Sequence, residues 1–392
     1  MEFSIRNEKA AVITADMEAY AKNVQEELRE LLSELCTIPA PSNHEEKRAE
    51  FCKKWFERNG FENVSIDGAL NVLAPVNVDL NSAEDMDVMM AHTDIVFPES
   101  TPLDLRKDED GFWHCPGIGD DTANLVVLMV CARYYREHLP AGRRGILFVA
   151  NSGEEGLGNL KGSRKIVETF GPRIREFVSL DSACMNRLVT KAVGSHRYKV
   201  TVRTEGGHSF AKFGNRNAIH SLASMISLLY SVKVPVNGDS KTTYNVGMIS
   251  GGTSVNTIAQ NAEMMYEYRS DDRSCLEKMQ KLFESTIETF RATGVEVEVE
   301  KIGDRPCGGD VDATRLNALR ERYCRSVHDV LGLEVFPGSS STDCNIPLSQ
   351  GIPAICFGVC RSAGAHTLAE KLEISSLRDG CRLLLDFLFR RG

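Results

Sequence analysis

The segment DVMMAHTD, residues 87–94, decides the fold, because an apolar run that favours a strand leads directly into a histidine and an aspartate. A helical pattern follows over 122–137, and the apolar runs ILFVA (146–150) and FVSL (177–180) flank a second helical pattern over 160–170. Short strands that alternate with helices are typical of an α/β sheet with helices on its faces. We therefore predict an α/β domain built around these strands.

The same alternation extends in both directions from this segment. Near the C-terminus the pattern predicts a helix over 313–331, a strand over 352–357 and a helix over 375–389. Upstream it predicts one helix over 17–35 and a strand over 72–76. The two ends of the chain therefore belong to the same α/β domain.

Residues 189–301 follow a different order. Here the pattern predicts four strands and two helices in the order βαββαβ, at 198–203, 218–232, 245–249, 264–268, 276–292 and 295–299. This order is typical of a ferredoxin-like α+β unit. We therefore predict a main domain formed by 1–188 and 302–392 and interrupted by a small inserted domain, 189–301.

Composition excludes several classes of partner. The chain has 392 residues and 46 Lys plus Arg against 55 Asp plus Glu, and this acidic balance argues against nucleic acid or an anionic membrane. Its longest apolar run, 125–132, is too short to span a bilayer.

Residues 1–15 read as a weakly patterned tail without an export signal, and the twelve scattered cysteines contain no CxxC pair. We expect a cytoplasmic protein with reduced thiols.

Acidic residues and histidines follow the predicted strands or lie in the loops between elements. These residues are His92, Asp94, Asp120, Asp121, Glu154, Glu155, Asp181 and His366. In open α/β sheets, functional residues gather at the carboxyl ends of the strands. Because carboxylates gathered at one edge repel each other unless a cation lies between them, the set predicts a metal site.

Each element alone has a simpler explanation. An Asp pair before a helix is also typical of an N-cap, and Glu154-Glu155 is also typical of a solvated surface pair. The full set favours a metal, and histidine and carboxylate ligands without thiolates suit zinc, cobalt or manganese. Five ligands fit two ions about 3.5–4 Å apart that share a bridging carboxylate. One of the two glutamates would then serve as the general base.

In order along the chain, these motifs resemble those of the di-zinc peptidases and deacylases. That family includes peptidase T, glutamate carboxypeptidase, succinyl-diaminopimelate desuccinylase and aminoacylase. Within the insert, GGHS (206–209) and GGTSVN (251–256) are similar to the two lid motifs of the family. The phrases GGHSF, GNRNAI and GGTSVNTIA are most similar to the peptidase T-like branch. The resemblance implies a mixed-sheet catalytic domain and an inserted lid and dimerisation domain.

The resemblance also implies a role for each metal ligand. Asp120 would bridge two divalent ions, with Zn²⁺ expected and Co²⁺ or Mn²⁺ as alternatives. His92 and Asp181 would complete one metal site, and Glu155 and His366 would complete the other.

Further roles follow from the same resemblance. Asp94 would orient the first histidine ligand, and Glu154 would be the general base. His208 would reach from a partner subunit to the developing oxyanion, and Asn256 and Arg269 would contact the substrate. Thr122 is a departure, since many members of the family have lysine at this position.

We therefore predict a homodimeric metallopeptidase of the peptidase T-like aminopeptidase or tripeptidase type. It would act as an exopeptidase on short peptides. An N-acyl amino acid deacylase with the same metals and base is the alternative, because the amide chemistry is identical. A non-catalytic binding protein on this fold is a third interpretation. It is disfavoured because such a protein would be free to lose Glu154 or a ligand, and this chain has all of them.

Overall fold

The computed structural model describes residues 12–139 and 141–390. The first eleven residues of the predicted tail lie outside this range. The chain forms two compact units. The first unit includes the described residues up to Thr190, then Asp310–Gly338, and resumes at Thr342. The second unit comprises Lys191–Gly309 and Ser339–Ser341, whereas the sequence pattern placed the insert at 189–301.

Ten α-helices lie in the described residues: α1 (Ala15–Asn23), α2 (Gln25–Cys36), α3 (Glu46–Arg58), α4 (Ala123–Glu137), α5 (Lys161–Phe170), α6 (Ala218–Ser231), α7 (Arg273–Ala292), α8 (Ala313–Leu331), α9 (Asn345–Ser349) and α10 (Ser376–Phe389).

The strands of the described residues are β1 (Ser65–Ile66), β2 (Val72–Val76), β3 (Met86–His92), β4 (Arg106–Lys107), β5 (Phe112–His114), β6 (Gly145–Asn151), β7 (Ile174–Leu180), β8 (Arg187–Ala192), β9 (Gly194–Arg203), β10 (Gly207–His208), β11 (Thr242–Gly251), β12 (Thr257–Ile258), β13 (Asn261–Ser270), β14 (Glu296–Arg305), β15 (Phe336–Ser340), β16 (Ala354–Phe357), β17 (Ser362–Ala363) and β18 (Lys371–Glu373).

An eight-stranded sheet has the order β1-β2-β6-β3-β7-β16-β8-β15. The four central strands, β6, β3, β7 and β16, pair in parallel, whereas β2 and β8 pair with them antiparallel. The predicted α/β class with a mixed sheet is therefore confirmed. Because the central strands run in one direction, their carboxyl ends meet at the same edge of the sheet.

The central strands and α4 are buried almost throughout. Every residue of β6 is buried, as expected for a strand covered on both faces. The longest apolar run of the sequence lies inside α4, where Leu125 to Ala132 are all buried and pack against α10 and β3. Among the described residues, no helix has the length and hydropathy that crossing a membrane requires.

The prediction of one helix over 17–35 is wrong, because two helices occupy this region. The backbone leaves the helical range at Val24, where ψ is 5°, so α1 ends there and α2 begins. The two helices pack against different neighbours, α1 against α10 and α2 mainly against α4. The sequence analysis also missed α3, although its buried residues Ala49, Cys52 and Phe56 recur at helical spacing.

The second unit contains a four-stranded antiparallel sheet with the order β11-β13-β9-β14. Its elements follow the predicted order βαββαβ, with α6 and α7 supplying the helices. The aromatic ring of Phe283 on α7 stacks on Tyr198 and Tyr266 in the core of this unit. A separate short ladder joins β10 to β12 and pairs His208 with Thr257.

Candidate metal centre

The carboxyl ends of the parallel strands deliver the predicted ligands to one place. His92 is the last residue of β3, Asp181 follows β7 directly, and Glu155 lies four residues after the end of β6. The turn before α4 supplies Asp120, and the loop after β17 supplies His366. The structure therefore brings together all five residues that the sequence analysis selected as ligands.

The possible donor atoms form three overlapping groups. Within each group, the ligand atoms lie within 4.8 Å of one another; the groups are His92 with Asp120, Asp121 and Asp181, His92 with Glu154 and Glu155, and Asp120 with Glu155 and His366. Asp120 belongs to the first group and the third. Overlap of this kind is what two neighbouring cations with a shared carboxylate require.

The carboxylate of Asp120 lies between two histidines. Its Oδ1 is 3.1 Å from Nε2 of His92, and its Oδ2 is 3.1 Å from Nε2 of His366. The same Nε2 of His366 is also 2.9 Å from Oε1 of Glu155. Each oxygen of Asp120 therefore faces a different imidazole, which is the geometry of a bridging carboxylate.

The carboxylates of the cluster resist joint ionisation. Burial, together with the charges of Glu154 and Asp120, raises the pKa of Glu155 to about 7 although His366 lowers it. The same causes raise the pKa of Asp181 well above its ordinary value. Burial also opposes ionisation of Asp120, but its bonds to the two histidines lower its pKa overall. A cation would relieve the repulsion within this donor set, so the residues fit a metal.

Glu370 holds the turn that presents Asp120. Its Oε1 accepts the backbone N–H groups of Gly119 at 2.8 Å and Asp120 at 2.9 Å, and its Oε2 accepts that of Gly117 at 2.7 Å. Burial raises the pKa of Glu370 to about 7. The sequence analysis missed this residue, although its position four residues after His366 was an available signal.

Asp94 connects the first histidine to the two glutamates. Its Oδ1 accepts the backbone N–H of Glu154 at 3.0 Å, and its Oδ2 accepts that of Glu155 at 2.9 Å. Nδ1 of His92 lies 3.0 Å from the carbonyl oxygen of Asp94, and Ser42 donates to Oδ2 at 2.6 Å. These contacts fit the orienting role predicted for Asp94, and the role itself stays a prediction.

A buried arginine joins the two segments that carry the first ligands. Arg48 donates from Nη1 to the carbonyl of Thr93 at 3.0 Å and to Oγ1 of Thr122 at 3.2 Å. Its Nε donates to the carbonyl of Ile38 at 2.8 Å, and burial lowers its pKa. Thr122, the residue that departs from the family pattern, thus meets a guanidinium from α3. Arg48 was not among the predicted site residues.

Asp121 and Asp343 are further buried acids near the cluster. Asp121 accepts the backbone N–H of His92 at 2.9 Å and an N–H of Asn124 at 2.6 Å. Asp343 accepts a side-chain N–H of Asn151 at 2.6 Å, and burial and the charge of Glu154 raise its pKa to about 7. Asp343 was also missed, since a single acid in a serine-rich loop carries no specific signal.

The other predicted site residues belong to the second unit. His208 is exposed on β10, and its Nδ1 accepts the backbone N–H of Phe210 at 3.2 Å. The carbonyl of Asn256 accepts the N–H of Ser209 at 2.9 Å, so His208 and Asn256 lie close together at the ladder of β10 and β12. Arg269 lies on β13 and is held by Glu267 at 2.9 Å. The roles of these three residues stay predictions.

Comparison with known proteins assigns the family. The profile described as peptidase family M20/M25/M40 matches residues 88–390. The chain belongs to this family. The match covers well over half of the chain, and it confirms the predicted resemblance to a family of peptidases.

Curated relatives are distant and match in part. A probable carboxypeptidase of Ajellomyces capsulatus is 23% identical over 254 residues, which are 58% of this chain and 57% of the relative. A succinyl-diaminopimelate desuccinylase of Paraburkholderia xenovorans is 27% identical over 239 residues, which are 56% of this chain and 62% of the relative. The chain thus spans less than two thirds of the length of either protein.

Solved structures share the fold over nearly the whole chain. A tripeptidase of Staphylococcus aureus has a TM-score of 0.72 at 22% identity, covering 93% of this chain and 97% of the other. Aminopeptidase PepT of Bacillus cereus has a TM-score of 0.69 at 23% identity, covering 93% and 98%. The YXEP protein of Bacillus subtilis, described as a dinuclear metal binding peptidase, has a TM-score of 0.64 at 15% identity, covering 94% and 98%.

Proposed function

We propose that this protein is a di-metal exopeptidase that hydrolyses amide bonds in short peptides. The observation that carries the proposal is the carboxylate of Asp120, whose two oxygens face His92 and His366 separately at 3.1 Å. This position suits a ligand shared by two ions, and the buried carboxylate of Glu154 belongs to the adjoining group of donors.

Two divalent ions, which we propose to be Zn²⁺, fit the donors of the cluster. His92 and Asp181 would hold one ion, Glu155 and His366 would hold the other, and Asp120 would bridge them. When bound, such a pair lowers the pKa of a shared water and polarises a carbonyl group. The description of the B. subtilis protein as a dinuclear metal binding peptidase supports two ions in this family.

Glu154 would move the proton. Its backbone is fixed by the hydrogen bond to Asp94, so its side chain starts from a defined position at the edge of the cluster. The carboxylate would accept a proton from the attacking water and deliver it to the leaving amine. His208, supplied by a partner subunit, would donate to the developing oxyanion, a contact worth about 3 kcal/mol in comparable sites.

Short peptides are the substrates that we favour. The family and the fold shared with an aminopeptidase and a tripeptidase support this choice. Asn256 and Arg269 would bind the polar backbone or the carboxylate of the substrate. An N-acyl amino acid deacylase remains the alternative, because a desuccinylase and an N-acetyldiaminopimelate deacetylase are among the relatives.

We further propose a homodimer formed through the second unit. Strand β11 is an edge of its sheet, and Met248 and Ile249 on this strand are 67% and 56% exposed. Leu228 and Tyr230 on α6 are exposed as well. An unpaired strand edge beside exposed apolar side chains suits pairing with a second copy. The twelve free cysteines suit a reducing compartment, and we propose the cytoplasm.

Substitution of Glu154 tests the proposed mechanism. Glu154→Gln should lower kcat by about 10²–10⁴-fold while both metal equivalents remain bound, because the variant loses the base and keeps the ligands. Peptide turnover and elemental analysis on the same preparation give both quantities. Glu155→Gln is the matched control, and it should lose metal. A Glu154→Gln variant with wild-type kcat would remove this residue from the mechanism.

A substrate panel separates the two candidate activities. Tripeptides, dipeptides and N-acetyl or N-succinyl amino acids would be compared by kcat/KM with the same enzyme preparation. The proposal predicts the highest value for a peptide with a free amino terminus. A higher value for an N-acyl amino acid would establish the deacylase alternative while leaving the metal site in place.

A further inference from the structure

A cavity of the first unit lies away from the metal cluster, at the end of the sheet where the central parallel strands begin. Its volume is about 470 Å³, and its lining includes Asp87 near the start of β3, Ile146 near the start of β6 and Glu176 near the start of β7. These strands are parallel, and their carboxyl ends carry the metal cluster. The volume falls within the range of about 300–1,000 Å³ that is typical of small-molecule sites.

Arginines dominate the charge of this cavity. Two carboxylates, of Asp87 and Glu176, line it together with five arginines, which are Arg143, Arg144, Arg175, Arg315 and Arg322. A third carboxylate, Asp85, pairs with Arg175. Arg144 pairs with Asp87 and Arg322 with Glu176, so among the described residues five guanidinium groups face three carboxylates. Positive charge therefore exceeds negative charge here, whereas the chain as a whole carries a net charge of −9. Such a local excess attracts anions.

The guanidinium groups are held in place by neighbours. Arg322 contacts Glu176 at 2.7 Å and stacks over the ring of Phe387 at 4.4 Å from its centroid. Its buried Nε has no hydrogen-bond partner among the described residues. Arg315 donates to the carbonyl of Arg175, which is a neutral group, and its charge also acts on the nearby Asp85. Donors that are already positioned lose little entropy when an anion arrives.

Apolar side chains form the rest of the lining. Met89, Tyr135, Val178 and Phe387 contribute to it, and all four are buried. These four side chains are at most 3% exposed, so the apolar surface that a ligand could cover comes from Ala318 and from the apolar parts of the other lining residues. An inorganic ion would leave this surface uncovered. A ligand with an apolar body would cover it and would place its charged group among the arginines.

We propose that this cavity binds an organic anion, in which a phosphate or carboxylate group is attached to an apolar body of about the size of one aromatic ring. Guanidinium groups bind both oxyanions through paired hydrogen bonds. The proposal is independent of the catalytic function, because no cavity residue belongs to the metal cluster.

Calorimetric titration of the metal-loaded protein tests the proposal with three probes. Phenyl phosphate and 3-phenylpropionate carry the two candidate anions, and benzyl alcohol carries the apolar body without charge. We expect saturable binding of at least one anion with one site per chain. Benzyl alcohol should bind at least about tenfold more weakly, since a charge-assisted hydrogen bond is lost. The stronger anion identifies the natural head group.

Variants locate the bound probe. The exposed rim pair Arg144→Gln/Arg315→Gln should weaken binding about tenfold or more. Arg325→Gln is the matched control, because Arg325 lies on the same helix, α8, and pairs with Glu321 away from the cavity. His366→Ala tests for anions that bind at the metals. Three results would overturn the proposal: no anion binding, unchanged binding in the double variant, or loss of binding in His366→Ala alone.

Discussion

At the scale of single residues, the position of Asp120 depends on a residue that is not a predicted ligand. Glu370 accepts three backbone N–H groups of the turn that carries Asp120, and this turn has no side-chain cap of its own. Burial of Glu370 is therefore matched by hydrogen bonds, as buried polar groups require. The two carboxylate oxygens of Glu370 therefore fix the turn, and with it the direction in which Asp120 points.

Glu370→Gln should weaken metal binding without unfolding the protein. The amide retains one acceptor oxygen, but its NH₂ group faces a backbone N–H, so the turn must shift. Residues that position metal ligands typically change metal affinity about 10–100-fold when they are replaced. Competition with a chelating dye measures the affinity. Glu373→Gln is the control, because it removes the negative charge that pairs with Arg361 and leaves the contacts of Glu370 in place. Equal affinities in the two variants would contradict the role of Glu370.

The metal ligands could be predicted from the sequence, but the buried acids around them could not. His92 ends a buried apolar strand and Asp181 follows another. Parallel strands bring such ends together, so the local sequence pattern was sufficient to predict that these ligands meet. Glu370 contacts backbone N–H groups and Asp343 contacts the side chain of Asn151, all of them distant in sequence, and no local pattern shows which groups these two acids contact. Their contacts depend on tertiary packing alone.

At the scale of elements, α3 contacts the segments of the candidate site through the buried guanidinium group of Arg48. Arg48 lies next to Ala49, whose side chain packs in the core, so the apolar stripe of α3 carries Arg48 inward. There it satisfies carbonyl groups of two other segments, those of Ile38 and Thr93. The helix thereby fixes the distance between the end of β3 and the turn that contains Asp120.

Arg48→Met should lower the free energy of unfolding by about 2–4 kcal/mol, because carbonyl groups are left buried without donors. Metal affinity should also fall, since the two ligand segments lose their shared donor. Arg48→Lys should recover part of both losses. Urea denaturation and chelator competition measure the two quantities. Lys54→Met, at an exposed position of α3 paired with Glu50, should stay within about 0.5 kcal/mol of wild type. Unchanged metal affinity in Arg48→Met would contradict this role.

Some elements were predicted with their observed bounds, whereas the shortest strands were missed. The helix over 313–331 and the strand over 72–76 were predicted with the bounds of α8 and β2. Strands of two or three residues, such as β4 and β17, contain too few positions for a period and were missed. The break at Val24 was missed because neither glycine nor proline marks it.

At the scale of the whole molecule, the predicted role of His208 requires two chains. His208 belongs to the second unit, whereas the metal cluster belongs to the first unit. If a partner supplies His208, each active site combines residues of both subunits. A symmetric dimer has two such sites. In a mixed dimer of two inactive variants, one site has both defects, and the other site combines an intact Glu154 with an intact His208.

Mixing Glu154→Ala protein with His208→Ala protein tests this arrangement. Each variant alone should be inactive, and subunit exchange should restore about a quarter of the wild-type activity, because half of the dimers are mixed and each has one intact site. Peptide turnover measures the recovery, and differently tagged subunits confirm exchange by co-purification. Absence of recovery despite exchange would show that His208 does not act across the dimer.

The metal content of the purified enzyme tests the central claim most directly. Elemental analysis, followed by chelation and stepwise return of Zn²⁺, relates bound metal to peptide turnover. The shared position of Asp120 predicts two equivalents per chain, loss of turnover on chelation, and the loss of both equivalents in Asp120→Ala. An active preparation with one equivalent or none, or turnover that survives complete chelation, would contradict the claim.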